Sequence, residues 1–172
     1  VRFITKSTLL FFVIIFSHDC IIGQMKISPG AENFKIYLPL LKDKKVGIVA
    51  HQASLLFKKS KNQHLVDFLI KNQVDIEIIF APEHGFRGNA DAGEKISDHH
   101  DNKTGIPIVS LYGKNKKPSE ENLKNIDIVI FDLQDVGVRF YTYISTLHYV
   151  MQSCAEMKIP IIVLDRPNPN LH

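Results

Sequence analysis

A carboxylic acid, an imidazole and a guanidinium lie close together at Glu83, His84 and Arg87. They follow an apolar run, residues 76–80, whose β-branched and aromatic side chains are typical of a buried strand. Pro82 has no backbone N–H with which to continue a sheet ladder, so we expect the strand to end there. Glu83 is therefore predicted at the carboxyl end of a strand, where α/β folds present catalytic groups. The pattern also fits an ordinary turn with solvated polar residues.

Further carboxylates follow other predicted strands. Cleavage of a glycosidic bond uses a pair of carboxyl groups, one to protonate the leaving oxygen and one to act on the anomeric side. Asp132 ends an apolar run, where burial raises a carboxyl pKa unless a cation such as Arg139 or Arg166 compensates. A capping or salt-bridging role for Asp132 and Asp165 is equally open. The candidate carboxylates are Glu83, Asp91, Glu94, Asp132, Asp135 and Asp165.

Metal and cofactor chemistry are less favoured. The ligand-rich residues match none of the compact helical metal motifs, so we predict no metal, and a metal-dependent hydrolase is the weaker alternative. The first predicted strand is followed by His51 and Gln52 rather than a glycine-rich phosphate loop, which predicts no nucleotide cofactor. A G-x-S-x-G serine elbow is absent from the sequence. The ligand-rich residues are His84, Asp91, Glu94, Asp98, His99, His100 and Asp101, and the histidine pair is expected in an exposed turn.

Predicted strands and helices, which must position these groups, alternate along the chain. Near-continuous apolar runs separated by helical patterns indicate a parallel sheet covered on both faces. We predict an α/β fold, Rossmann-like and doubly wound, with helices on both faces of a mainly parallel sheet. Its polar strand-end residues would converge on one edge. The predicted strands are 45–50, 76–80, 106–111, 127–132 and 159–164, and the predicted helices are 64–71, 118–124 and 143–157.

The amino terminus has the composition of a secretory signal. Arg2 and Lys6 precede an apolar run, residues 9–16, that is too short to span a bilayer. We predict a signal peptide over 1–24, a linker and lead-in over 25–44, and a catalytic domain over 45–172. The protein would then be periplasmic or extracellular, without stable membrane insertion after cleavage; an uncleaved anchor is the alternative. Lipoprotein anchoring at Cys20 is disfavoured by the preceding His-Asp, and the remaining Cys154 can form neither a disulfide framework nor a thiolate metal site.

Composition indicates one ordinary globular domain. The chain has 172 residues, of which 45% are hydrophobic and 23% charged, so its core can be of normal size. The net charge of +3 is small and the lysines are dispersed, which predicts solvated surface lysines and no nucleic-acid partner. These lysines are Lys42, Lys44, Lys45, Lys58, Lys59, Lys61, Lys114, Lys116 and Lys117.

Several ordered motifs resemble the DUF1343 family, which is associated with exo-β-N-acetylmuramidases of the NamZ type. The motifs are VGIV (46–49) with Gln52, APEHGFRG (81–88), DAGE (91–94), SLYG (110–113), FDLQDVGVRFYTYIST (131–146) and LDRPNP (164–169). The resemblance implies a Rossmann-like domain with a catalytic glutamate, and an enzyme that removes terminal N-acetylmuramic acid from peptidoglycan fragments. Its partners would be muramic-acid-containing cell-wall saccharides.

The resemblance also implies residue roles. Glu83 matches the family glutamate and would act as general acid or acid/base, with Asp132 or Asp135 as a second catalytic group. Arginine would suit the lactyl carboxylate of muramic acid through a bidentate pair. Tyr141 and Tyr143 fit either a sugar-stacking surface or the core of a packed helix. The substrate-binding candidates are Gln52, His84, Arg87, Gln134, Arg139, Tyr143 and Arg166.

Two departures from the family pattern bear on activity. His51 stands where the family typically has asparagine before Gln52. Family members continue beyond the Arg-Pro-Asn-Pro motif into a second, smaller domain, so we expect this sequence to correspond to about the first half of such an enzyme. The alternative function is therefore a non-catalytic sugar-binding module or an inactive fragment.

Overall fold

The computed structural model describes residues 27–57, 62–83, 85–88 and 99–170. The predicted signal peptide, His84, Asp91, Glu94 and Asp98 lie outside the described residues.

A six-stranded sheet forms the centre of the domain, in the order β5-β6-β4-β1-β7-β8. Every neighbouring pair is parallel except β5 with β6. The five parallel strands, numbered among themselves along the chain, have the order 3-2-1-4-5 of a Rossmann half-fold. The predicted α/β, Rossmann-like, mainly parallel fold is confirmed. The strands are β1 Lys45–Ala50, β2 Leu55–Leu56, β3 Gln63–His64, β4 Asp75–Ala81, β5 His99–His100, β6 Pro107–Ser110, β7 Ile128–Asp132 and β8 Ile161–Val163.

Helices cover both faces of the sheet. On one face, α2 packs its Leu65 and Leu69 against inward-facing strand residues such as Ile48 and Ile79. On the other face α3 and α4 bury apolar side chains, including Val150 of α4, in a separate cluster. Because both faces of the sheet are covered, β7 is buried at all five positions, and its first four residues, 128–131, are apolar. The helices are α1 Phe34–Tyr37, α2 Leu65–Lys71, α3 Glu120–Leu123 and α4 Tyr143–Glu156.

The register of β4 contains a bulge. Val46 of β1 pairs with Ile76, but the next residue, Gly47, pairs with Ile78, so Glu77 is the extra residue. Ile76 and Ile79 consequently lie on the same face of the sheet although they are three residues apart. A regular strand would place residues at even separation on one face.

The segment predicted as a linker contains helical turns that pack on the core. Two 3₁₀ turns, Gly30–Glu32 and Leu38–Leu41, flank α1. Tyr37 is buried and its hydroxyl donates to the Ala31 carbonyl at 2.8 Å. The backbone N–H of Gly30 donates to the Asp165 carbonyl at 2.6 Å, beyond the end of β8. These turns therefore cover one end of the sheet.

Helix starts follow the local sequence. Ser119 and Asn122 form a reciprocal capping box at the start of α3. His64 caps α2, since its ring accepts a hydrogen bond from the Val66 N–H. Of the helices in the described ranges, none has the length and apolar character needed to cross a membrane.

Candidate active site

A cavity of about 210 Å³ opens at the carboxyl edge of the sheet. It is bounded by the loop after β4, the loop after β6 and the first two turns of α4. Its volume is below the roughly 300–1,000 Å³ of pockets for drug-sized ligands, and suits one small ring. The lining residues are Glu83, Leu111, Tyr112, Gly113, Lys116, Thr142, Ser145, Thr146 and Tyr149.

Glu83 is half-buried and lies two residues beyond the end of β4. The side chain of Tyr112 lies beside its carboxylate, and the interaction with Glu83 raises the pKa of Tyr112. The strand β6, which Tyr112 closely follows, pairs directly with β4. Glu83 and Tyr112 thus meet because their strands are neighbours in the sheet.

An aromatic cluster lies beside the acid. The rings of Tyr141 and Tyr143 stack edge to face with centroids 4.7 Å apart, and His51 contacts Tyr143 in the same way at 5.2 Å. Burial, followed by the interaction with Tyr141 and a smaller contribution from Glu83, raises the pKa of Tyr143. Tyr143 is 5% exposed, whereas Tyr141 is 36% exposed. Tyr143 thus belongs to the core, and of the two Tyr141 presents the larger surface to a ligand.

Arg87 holds the loop that carries Glu83. Its Nε and Nη2 donate to the two carboxylate oxygens of Asp101, each at 2.8 Å, and Nη2 also lies 3.3 Å from Asp67 of α2. Its guanidinium carbon lies 4.7 Å from the ring centroid of Phe86, which is buried. Arg87 was predicted to bind substrate, but the edge of the guanidinium suited to bidentate pairing faces an internal carboxylate.

Gln52 lies against the same loop. Gly88 has a φ of +71°, and a Cβ built on it would lie 3.1 Å from Cγ of Gln52. The side chain of Gln52 is exposed, and a side chain at Gly88 would press against it at closer than ordinary contact distance. Gln52 therefore joins the loop after β1 to the loop after β4.

Asp132 and Arg166 form an ion pair in the interior. The Nε of Arg166 donates to Oδ1 of Asp132 at 2.7 Å and Nη2 donates to Oδ2 at 2.9 Å. Asp132 is fully buried and Arg166 is 6% exposed. Burial raises the pKa of Asp132 while the Arg166 ion pair opposes that rise. Neither side chain lines the cavity that contains Glu83.

The loop after β7 carries three more predicted site residues. Nε2 of Gln134 donates to the Pro167 carbonyl at 2.6 Å, which connects this loop to the one after β8. Oδ1 of Asp135 accepts from the Gly137 N–H at 3.0 Å. Asp135 and Arg139 are exposed, and neither is among the residues lining the cavity.

Sequence reasoning missed most of the cavity. Tyr112 carried a usable signal, because it follows a predicted strand adjacent to that of Glu83. Lys116 was expected to be an ordinary surface lysine. Thr142, Ser145, Thr146 and Tyr149 enter the cavity because α4 begins above the sheet edge, and no spacing rule predicts that placement.

A metal site finds no further support within the described ranges. Those ranges hold no group of three or more His, Cys, Asp or Glu side chains arranged to bind a metal. His99 and His100 form the short edge strand β5, with both side chains exposed, where an exposed turn was expected. Asp101 pairs with Arg87, and the remaining residues of the proposed cluster, His84, Asp91, Glu94 and Asp98, lie outside the described part of the chain.

Fold and site together define a Rossmann-like α/β domain with a carboxylic acid in a cavity at the carboxyl edge of its sheet. The sequence profile of a family described as "Exo-beta-N-acetylmuramidase NamZ, N-terminal" matches residues 46–172, and the chain belongs to this family. The resemblance inferred from the sequence motifs is confirmed.

Individual relatives agree with this assignment. Peptidoglycan beta-N-acetylmuramidase NamZ of Bacillus subtilis (strain 168) is 48% identical over 134 residues, which cover 77% of this chain and 32% of that protein. Two DUF1343 family proteins from Bacteroides fragilis NCTC 9343, BF0379 and BF0371, are 45% and 37% identical in sequence to this chain, and their crystal structures match it with TM-scores of 0.68 and 0.71. The matches cover 83% and 86% of this chain and 35% and 36% of those chains. The chain thus spans about a third of the length of these relatives.

Proposed function

We propose that this chain is the catalytic-glutamate domain of a glycoside hydrolase that releases terminal N-acetylmuramic acid from peptidoglycan fragments. The observation that carries the proposal is Glu83 in a cavity suited to one sugar ring, in a chain 48% identical to a peptidoglycan muramidase. Protonation of the leaving oxygen requires an acid within hydrogen-bond reach of the glycosidic bond. Among the cavity-lining residues, Glu83 supplies that group.

Glu83 acts as general acid in this proposal, and Tyr112 orients it. A carboxyl group that swings freely loses the geometry on which proton transfer depends. The Tyr112 hydroxyl and the anchored loop around Arg87 restrict that motion. Thr142, Ser145 and Tyr149 offer hydroxyls to the sugar from the start of α4.

The second catalytic group is not assigned to Asp132 in this proposal. Both of its oxygens accept from Arg166, so neither is placed to attack an anomeric carbon or activate a water. Asp135 remains a candidate, since it is exposed on the same edge of the domain. We further propose that the protein is secreted, because its substrate lies outside the cytoplasm and residues 1–24 have the composition of a signal peptide.

Glu83→Gln in the full-length protein tests the catalytic role. Glutamine keeps the size and polarity of the side chain but cannot donate a proton as an acid, so we expect hydrolysis of a chromogenic β-N-acetylmuramide to fall by about 10²–10⁴-fold. Glu121→Gln, at an exposed position on α3, is the matched control and should keep wild-type activity.

Thermal unfolding should be similar for the wild type and both variants. Full activity of Glu83→Gln would refute the role of Glu83. A wild-type protein that binds muramic acid in calorimetry without hydrolysing the chromogenic substrate would instead support the non-catalytic sugar-binding alternative.

A further inference from the structure

The substrate class of the proposed function carries a charge that its close analogue lacks. N-acetylmuramic acid differs from N-acetylglucosamine by a lactyl ether, whose carboxylate is ionised at neutral pH. A site that selects the first sugar over the second therefore gains most from a cation placed to meet that carboxylate. This inference rests on the proposed function and asks which residue supplies the cation.

Two arginines of the site region are already engaged. Arg87 presents its Nε and Nη2 donors to Asp101, and Arg166 presents the same donors to Asp132. A guanidinium recognises a carboxylate best through a pair of parallel hydrogen bonds, and in both arginines one such pair is already made. Binding a substrate carboxylate in that way would require breaking an internal ion pair.

Lys116 differs from these arginines in its surroundings. It is the lysine among the cavity-lining residues, on the loop between β6 and α3, and its side chain is exposed. Lys45, Lys103 and Lys117 form ion pairs with Glu77, Asp67 and Glu156. Within the described ranges, Lys116 has no carboxylate partner.

We propose that Lys116 binds the lactyl carboxylate of the substrate and so determines selectivity for muramic acid over glucosamine. An ammonium group on a flexible stem can meet a carboxylate without the planar geometry that arginine needs. Glu83 and Lys116 line the cavity from different loops, those after β4 and β6, so one sugar can contact the acid and the cation together. Lys116 is a specificity-determining residue in this proposal and takes no part in proton transfer.

Binding in the Glu83→Gln background separates recognition from catalysis. We expect Lys116→Gln to weaken the binding of N-acetylmuramic acid, measured by calorimetry, about tenfold or more, and to leave that of N-acetylglucosamine unchanged. Lys116→Arg should restore most of the muramic acid affinity. Lys114→Gln removes a neighbouring exposed lysine that does not line the cavity, and should behave as the parent does.

The methyl ester of N-acetylmuramic acid supplies the complementary change in the ligand. Esterification should weaken binding to the parent by the same factor as Lys116→Gln, and should have no further effect on the Lys116→Gln variant. In turnover by the otherwise wild-type enzyme, Lys116→Gln should raise KM for a chromogenic muramide and change kcat little.

Three results would overturn the role of Lys116: unchanged muramic acid affinity in Lys116→Gln, an equal loss for both sugars, or a parent that does not distinguish the two sugars. Failure of the proposed function has a different signature, namely full hydrolysis by Glu83→Gln or no hydrolysis by the wild type. The binding comparison requires no turnover, so the two failures are distinguishable.

Discussion

Asp132 and Arg166 make two hydrogen bonds to each other inside the domain, at 2.7 and 2.9 Å, and join the chain at the ends of β7 and β8. Nη2 of Arg166 also donates to the Leu55 carbonyl at 3.0 Å, which links the pair to β2, a strand that pairs antiparallel with β3. The Ser54 hydroxyl donates to the backbone carbonyl of Asp132 at 2.7 Å. The pair therefore connects three segments of the carboxyl edge and supports the loops on which the site depends.

Asp132→Asn should destabilise the protein strongly. The substitution leaves the buried guanidinium of Arg166 without its counter-charge, which costs about 3–5 kcal/mol of unfolding free energy in comparable sites. Urea denaturation of the wild type and the variant measures this loss. In the matched double variant, Asp132→Leu with Arg166→Met, no unpaired charge remains, so it should lose less than the single variant. If Asp132→Asn unfolds like the wild type but is inactive, Asp132 has a catalytic role instead.

His64 should make stability depend on pH below its ordinary pKa. Its Nε2 donates to the His51 carbonyl at 2.9 Å, so Nδ1 must be unprotonated to accept from Val66 at 3.3 Å. Burial is the largest cause that lowers the pKa of His64 from 6.5. The folded state then binds fewer protons than the unfolded state, and the unfolding free energy should fall as pH drops below about 6.5.

Denaturation midpoints measured between pH 7.5 and pH 5 test this expectation. The decline should be smaller in His64→Asn, because asparagine can still cap α2 and does not titrate. The exposed His148→Asn serves as the control and should keep the wild-type profile. If the denaturation midpoint of His64→Asn declines with pH as steeply as that of the wild type, His64 does not cause the loss of stability.

Asp101 should contribute a second loss of stability at lower pH. Hydrogen bonding to Arg87 is the largest cause that lowers the pKa of Asp101 from 3.8 to about 2. This carboxylate stabilises the fold above the unfolded pKa, and its contribution of about 1–2 kcal/mol is lost as pH falls from 3.8 towards 2. Acid denaturation of Asp101→Asn should show less decline in that window than the wild type.

The exposed Glu156, whose pKa is lowered by hydrogen bonding to Lys117, provides the comparison. A surface ion pair contributes little to stability, so Glu156→Gln should follow the wild-type acid profile. If Asp101→Asn and the wild type also lose stability in parallel, the Arg87 ion pair does not stabilise the native state in the way its geometry implies.

Much of the sheet could be predicted from apolar runs alone. The first strand was predicted at residues 45–50, where β1 lies, and the long helix within one residue of α4. Parallel strands that are buried on both faces form near-continuous apolar runs, so they can be recognised in the sequence without knowing which strands they pair with. The two-residue strands β2, β3 and β5 were not predicted, because pairs so short are created by tertiary contacts and have no periodicity of their own.

The site was predicted in part, and for identifiable reasons. Arg139 and Arg166 were named as examples of cations that could compensate Asp132, and the adjacency of β8 to β7 favours Arg166. The internal pairing of Arg87 with Asp101 could not be read from spacing, because it depends on the path of a loop between them. The same holds for Lys116, whose position relative to the cavity depends on how the β6–α3 loop turns.

The extra residue at Glu77 determines which face of the sheet each later residue of β4 occupies. If the same residues formed a regular strand from Ile76 onwards, Ile79, Phe80 and Ala81 would exchange faces, and the strand would leave the sheet rotated by half a turn. The bulge at Glu77 therefore determines the direction in which the chain leaves the sheet, and with it the side on which Pro82 and Glu83 emerge. Deleting Glu77 would instead make the pairing with β1 regular and would keep Ile76, Ile79 and Ala81 on one face of the sheet.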